Sequence, residues 1–221
     1  MANARAASDA FFQVGFNRRF APAATKALER LSKVPGPRFL VVRVNAGPIA
    51  ADHWVHDPIE GGGRILGEMC HFIDLAMCLV GHPISSVQAV MFGPDSGAFR
   101  DDKTTISLTF ADGSIATVHY LSNGPKAFPK ERVEIFSEGR VLVIDNWRRL
   151  VPFDWQGAGA MKMRQDKGHT AEVAAFLDRV RSGGQPLIPF SELAMTTEAS
   201  FAAVRSAKEG CVVRLSPEAM A

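Results

Sequence analysis

Glu68, His71 and Asp74 stand three residues apart in the run Gly61-Gly62-Gly63-Arg64-Ile65-Leu66-Gly67-Glu68-Met69-Cys70-His71-Phe72-Ile73-Asp74, which otherwise reads as buried helix. On a helix this spacing projects all three over one broad sector. A carboxylate beside a histidine orients the imidazole and stabilises its charged form, which is how an acid–base histidine is built. An unpaired polar group buried in such a helix costs about 1–3 kcal/mol, so each of the three needs a partner, water or a substrate. A histidine satisfied within the core by a neighbouring carboxylate or carbonyl fits the same spacing. Glu68-x-x-His71 is also a metal-ligand spacing, which His53 and His56 could complete, but metal sites in bundles use two such helices and the sequence offers one. The expected metal set is therefore none.

The loop from Gly47 to Glu60 feeds directly into these glycines and holds Asp52, His53, Trp54, His56 and Asp57. A long loop in a compact domain is usually functional or disordered. Trp54 and His56 are candidate substrate contacts. So is Arg18, within the cationic pair Asn17-Arg18-Arg19-Phe20, and so is Lys130, which borders the loop at Asn123-Gly124-Pro125 with Lys126, Glu131 and Arg132. These charged residues read as surface charges or, on a loop facing a cleft, as groups holding an anionic or hydroxylated substrate. Gly62 and Gly63 allow a backbone to approach a strand or a flat ligand ring closely, and are candidate cofactor contacts. The chain has no Gly-x-Gly-x-x-Gly after a strand, no Gly-x-x-x-x-Gly-Lys-Ser/Thr and no Gly-x-Ser-x-Gly elbow. Nucleotide binding through those loops and serine hydrolysis are not expected.

Elements that could position these groups follow from periodicity. Phe11–Phe16 reads as a short buried strand, and residues 21–34 as a helix opened by Pro22 and stopped by Pro35-Gly36-Pro37. Residues 38–46 alternate as a strand. Residues 64–80 are apolar nearly all round, the pattern of a central covered helix capped by Gly81. The period then becomes two over 86–92, 104–110, 114–121, 132–137 and 140–145, with 147–151 a further candidate. Asp112-Gly113 and Glu138-Gly139 are hairpin signals, so an antiparallel meander is expected. Val173, Phe176, Leu177 and Val180 mark an amphipathic helix, 191–209 a second, and 211–215 a last strand. The order gives an α+β layer rather than alternating βαβ units.

With 221 residues, 47% of them hydrophobic, the chain can bury a single core. A formal charge of +2 supplies no basic face for nucleic acid. Cys70, Cys78 and Cys211 are too few and too scattered for a disulfide framework, which fits a reducing cytoplasm. No uninterrupted apolar run approaches the roughly 18 residues that a membrane span needs. Residues 1–10 are expected to form a disordered or appended N-terminus, and 11–221 one domain.

Gly15-Phe16-Asn17-Arg18-Arg19-Phe20-Ala21-Pro22, Gly61 to Asp74, and Pro129-Lys130-Glu131-Arg132-Val133-Glu134 together resemble the C-terminal domain of the Gfo/Idh/MocA oxidoreductases. The likeness runs from Phe11 to about Leu215, and its most specific part is the glycine-to-histidine run. It implies an α+β domain with an open, mostly antiparallel sheet, helices packed on one face, that binds a sugar or polyol and oligomerises as a homodimer or tetramer through the open face. The family's Rossmann domain, which holds NAD or NADP, has no counterpart in this sequence; it is expected upstream in the native chain or in trans, and the chain alone is expected to be inactive. A non-enzymatic dimerisation or ligand-binding module is the rival expectation. The resemblance makes His71 the residue that takes a proton from the substrate hydroxyl. The family's aspartate one turn earlier falls at Gly67, with Glu68 beside it, and the family's Glu-Lys-Pro lysine belongs to the Rossmann domain. Gly15 to Pro22 resembles the crossover between the two domains.

Overall fold

The computed structural model describes residues 11–50, 52–57, 59–92 and 101–216. The expected tail at 1–10 lies outside the described residues. Nine strands form one sheet: β1 (Phe39–Asn45), β2 (Ile84–Met91), β3 (Lys103–Phe110), β4 (Ile115–Leu121), β5 (Glu131–Ser137), β6 (Arg140–Asp145), β7 (Arg149–Phe153), β8 (Met161–Lys162) and β9 (Val213–Arg214). Their order is β8-β7-β6-β5-β1-β4-β3-β2-β9, and among the described residues only β1 and β4 run parallel. The sheet is therefore open and mostly antiparallel, as expected, but it is not a plain meander. β1 inserts between β4 and β5, a long-range pairing that local periodicity does not encode.

Alternation decides the two faces. Ile106, Leu108, Ala116, Val118, Leu40 and Val42 are fully buried beneath the helices. Thr105, Ser107, Thr117, Arg43, Arg132 and Glu134 lie on the opposite, partly exposed face. On the covered face pack α1 (Pro22–Leu31), α2 (Cys70–Val80) and α4 (Phe190–Glu209); α3 (His169–Ser182) lies against the turn at Asn17–Phe20. The central covered helix is α2, whose Phe72, Ile73, Leu75, Ala76 and Leu79 are completely buried. Burying each of the larger of these contributes about 1.5–3 kcal/mol. Glu138 and Gly139 both take positive φ, 45° and 72°, as the β5–β6 hairpin turn requires.

Three expectations are corrected. Phe11–Phe16 is not a strand but irregular chain ending in a 3₁₀ turn at Asn17–Phe20; Phe12, Val14 and Phe16 are covered by Ile188 and Leu193 instead of by a neighbouring strand. Trp147 belongs to the turn before β7, with φ 58°, because its buried indole N–H reaches back to Glu131. The apolar stripe of α3 is exposed at Val173, Leu177 and Val180, and only Phe176 finds an aromatic neighbour, Phe11, with ring centroids 5.4 Å apart. Among the described residues no helix is long and apolar enough to cross a membrane.

Candidate active site

Sheet register gathers the site. Val44 pairs in register with Tyr120 on one side and Glu131 on the other, so these two residues lie in one row across β4, β1 and β5 on the covered face. Each is a buried polar residue that must find a partner. The segment beginning at Gly61 supplies the partners of Tyr120, and Arg18, Trp147 and Lys167 supply those of Glu131.

Its first turn is π-helical, Ile65–Met69, and runs directly into α2. A π turn carries an extra residue per turn and so re-aims the side chains that follow it. Asp101 fixes its start: the buried carboxylate accepts the Ile65 N–H at 2.6 Å. Gly63 makes that contact possible. Its φ is 86°, and a Cβ there would come within 2.6 Å of Asp101 Oδ2. Gly61 is held as tightly, since a Cβ would come within 2.4 Å of the Trp54 carbonyl. Gly62 has φ 65° and only ordinary contact with Leu66. Gly63→Ala should therefore destabilise the chain by about 1–3 kcal/mol through strain and lost capping; chemical denaturation with an unchanged midpoint would count against this account of the glycine.

Glu68 is the hub of one cluster. Its carboxylate accepts from the Tyr120 hydroxyl at 2.5 Å, from Lys130 Nζ at 2.8 Å and from Arg64, which also donates to the Tyr120 oxygen. A carboxylate served by two cations and a phenol is fixed in place. Tyr120 is the chain's one tyrosine and sits at an inward position of β4, a signal that marks a buried hydroxyl without naming its partner.

Glu131 is the hub of the other. It accepts from Arg18 Nε at 2.9 Å and Nη2 at 3.0 Å, from Trp147 Nε1 at 2.6 Å and from Lys167 Nζ at 2.7 Å. Burial raises its carboxyl, but the Arg18 bonds and the charges of Arg18 and Lys167 prevail and hold it down at about 2. Arg18 also stacks over Phe72, 4.3 Å from the ring centroid. The sequence suggests Arg18 as a substrate contact and Glu131 as a surface charge; both are here parts of a buried ion cluster.

His71 stands between these clusters. Phe16 meets its ring edge-on with centroids 5.6 Å apart, and among the described residues nothing hydrogen-bonds its buried Nδ1. Burial first, then the positive charge of Arg18, pushes the imidazole down to about 4, with Glu68 and Glu131 pulling the other way. At neutral pH His71 is thus uncharged and able to accept a proton. Its ring resonances should titrate with a midpoint near 4 in an NMR pH series; a midpoint at or above the ordinary 6.5 would contradict this placement.

Asp74 is turned elsewhere. It is fully buried and bound by both arms of Arg19 at 2.7 and 2.8 Å, and Arg19 also reaches Glu192 at 2.5 Å. Burial pushes its carboxyl up to about 6 against the pull of Arg19. Its direct partner is Arg19, not His71. In the preceding loop, Trp54 is 60% exposed on a short 3₁₀ turn, His53 Nδ1 accepts the Val55 N–H, and among the described residues the buried Nε2 of half-buried His56 has no partner. Lys130 is more open than the carboxylate it binds. Among the described residues no group of three or more His, Cys, Asp or Glu could hold a metal ion. A depression of about 670 Å³ beside Met163, Asp166, Lys167 and His169 adjoins the Glu131 cluster through Lys167.

The arrangement is a neutral imidazole flanked by fixed charges, suited to taking a proton from a hydroxyl rather than to nucleophilic attack. Cys70 and Cys78, whose thiols burial pushes up to about 11, are inert packing groups.

Comparison with known proteins agrees with this fold. Myo-inositol 2-dehydrogenase from Thermotoga maritima is 25% identical over 221 residues, covering 94% of this chain and 65% of that protein. The chain thus spans just under two thirds of that relative's length. The aldose-aldose oxidoreductase from Caulobacter crescentus, complexed with glycerol, superposes with a TM-score of 0.79 at 17% identity, covering 97% of this chain and 67% of the other. GenD2 from gentamicin A biosynthesis, in complex with NAD, superposes with a TM-score of 0.71 at 20% identity, covering 91% and 63%. At these identities the structures establish the fold alone. The model of the GFO/IDH/MocA C-terminal domain matches residues 38–142, which take in strands β1 to β5, the start of β6 and the whole run from Gly61 to Asp74. Over residues 38–142 the chain is thus similar to the C-terminal domain of the Gfo/Idh/MocA family.

Proposed function

We propose that this chain is the substrate-binding and oligomerising half of a cytoplasmic NAD(P)-dependent oxidoreductase acting on the CH–OH group of a sugar or polyol, with His71 as its acid–base residue. The observation that carries this is His71 itself, a neutral imidazole with a buried, unpartnered Nδ1, set between two ion clusters. A myo-inositol 2-dehydrogenase among the relatives supports the substrate class. Glu68 holds the local field that keeps a protonated His71 tolerable, and Lys130, Trp54 and His56 line the substrate side. Arg18 acts from behind, through Glu131, and Asp74 by anchoring α2 to Arg19.

The residues present do not form a dinucleotide site. Gly61 is closed in by the loop at Trp54 and Gly63 by the Asp101 carboxylate, which would repel a phosphate on its side of the turn, so only outward backbone groups remain for contact. The cofactor therefore belongs to a nucleotide-binding half, with the backbone at Gly62 and Gly63 as this chain's contact to it. A bound nicotinamide would supply a hydride acceptor. This chain's part is to orient the hydroxyl, take its proton on His71 and return it in the reverse direction.

Assembly through the open sheet face is supported by the row Phe39, Ile115 and Phe136, which pair in register across β1, β4 and β5 and are 43, 37 and 41% exposed. The test is hydride transfer from myo-inositol to NAD or NADP by this chain alone and joined to a nucleotide-binding half. Turnover is expected only in the second case; micromolar NAD binding and turnover by the chain alone would refute the half-enzyme reading.

A further inference from the structure

His71 is flanked by two carboxylates, and each is outnumbered by its cations. Glu68 is bound by Arg64 and Lys130, and Glu131 by Arg18 and Lys167, which leaves two positive charges in excess around one imidazole. Asp101, buried under Gly63, offsets one of them from the far side of the π turn. The Asp74, Arg19 and Glu192 group has one carboxylate in excess and is paired with neither cluster, so the surplus is local to Lys130 and Lys167 rather than a property of the whole region.

On an open surface such an excess would be dissipated by water and salt. Here the side chains of Arg18, Arg64, Glu68 and Glu131 are only 7, 12, 17 and 1% exposed, and Lys167 is 22% exposed, so the surplus is only partly solvated and is most open at Lys130. An uncompensated charge in such a place is costly, and an arriving anion offsets it. One donor is open to meet one, and a second beside it lacks an acceptor. Lys130 spends one of its three N–H groups on Glu68 and is the most open member, at 39%. Arg64 has a buried Nε–H with no acceptor among the described residues.

We propose that the substrate of this site is an anionic sugar or polyol derivative, bearing a carboxylate or a phosphate, whose charged group is held by Lys130 and Arg64 while a hydroxyl is presented to His71. This rests on the oxidoreductase reading for the role of His71, but the charge assignment can be tested without turnover.

The chain is titrated by NMR with glucuronate, glucose 6-phosphate and glucose. At least one anion should bind tenfold or more tighter than glucose, shift the signals of His71 and of the residues around Lys130, and weaken as salt is added. Glucuronate alone would identify a carboxylate substrate, and glucose 6-phosphate alone a phosphate. Lys130→Gln should reduce the preference to within about threefold, and Lys130→Arg should restore it, which separates loss of charge from loss of fold. Anions that bind no tighter than glucose, no binding by any of the three, or a preference that survives Lys130→Gln would overturn the inference. Selective anion binding without hydride transfer in the joined enzyme would leave the charge assignment standing and defeat the oxidoreductase reading instead.

Discussion

Replacing His71 with alanine, in this chain joined to a nucleotide-binding half, should lower kcat/KM for the polyol by about 100-fold or more, the usual contribution of a positioned general base. The expectation follows from what surrounds the ring. Its neutral form is enforced by burial and by Arg18, so the proton acceptor is ready at pH 7, and its Nδ1 has no partner among the described residues. His71→Gln keeps a polar group of similar reach and should lose nearly as much, because the amide cannot take the proton. The folded state should be little affected by either change, since the ring contributes a single aromatic contact, to Phe16. Steady-state kinetics and a thermal melt on the same samples separate the two effects. Near-normal turnover in either variant would remove His71 from the chemistry.

The second large effect concerns stability. Glu131→Ala should destabilise the chain by about 3–5 kcal/mol, because it strands the buried Arg18 guanidinium, Lys167 and the Trp147 N–H together. Glu131→Gln keeps the shape but not the charge and should show the pH dependence cleanly. The folded carboxyl lies near 2 and the unfolded one near 4.5, so its stabilisation is fully present above 4.5 and is lost as pH falls towards 2. The stability difference between the natural chain and Glu131→Gln should shrink by about 3 kcal/mol over that window. Asp74 shifts in the opposite direction, but it is common to both proteins and cancels in the difference. Equal urea midpoints at pH 7 would show that the cluster does not hold this end of the sheet.

Much of this architecture was legible in advance where a residue's environment is set by its neighbours in sequence. Ile106, Leu108 and Phe110 alternate with Ser107 and Thr109 and are buried as that pattern demands, and the apolar run after Met69 became the central helix. The insertion of β1 between β4 and β5 was not legible, because parallel pairing of Phe39–Asn45 with Ile115–Leu121 joins segments far apart in the chain. The site divides in the same way. Glu68, His71 and Lys130 stood out by type and spacing, and Glu68 and Lys130 meet at 2.8 Å. Asp74 stood out equally, yet its partner Arg19 lies 55 residues away, and no local rule could predict that bond. Tyr120 went unnoticed and Glu131 reads as a surface charge, because each looks like an ordinary strand residue; their shared row with Val44 makes them the two anchors. The strand expected at Phe11–Phe16 was misplaced because a short apolar run fits helix cover as well as sheet pairing, and Ile188 and Leu193 provide the cover.

The measurement that bears most directly on the central claim is a crystal structure of this chain joined to a nucleotide-binding half, with NAD or NADP and a polyol bound. The account predicts one substrate hydroxyl within hydrogen-bonding reach of a His71 ring nitrogen, at about 2.6–3.2 Å. A polyol bound in a productive pose with no hydroxyl near His71, or one held on the far face of the sheet, would contradict it.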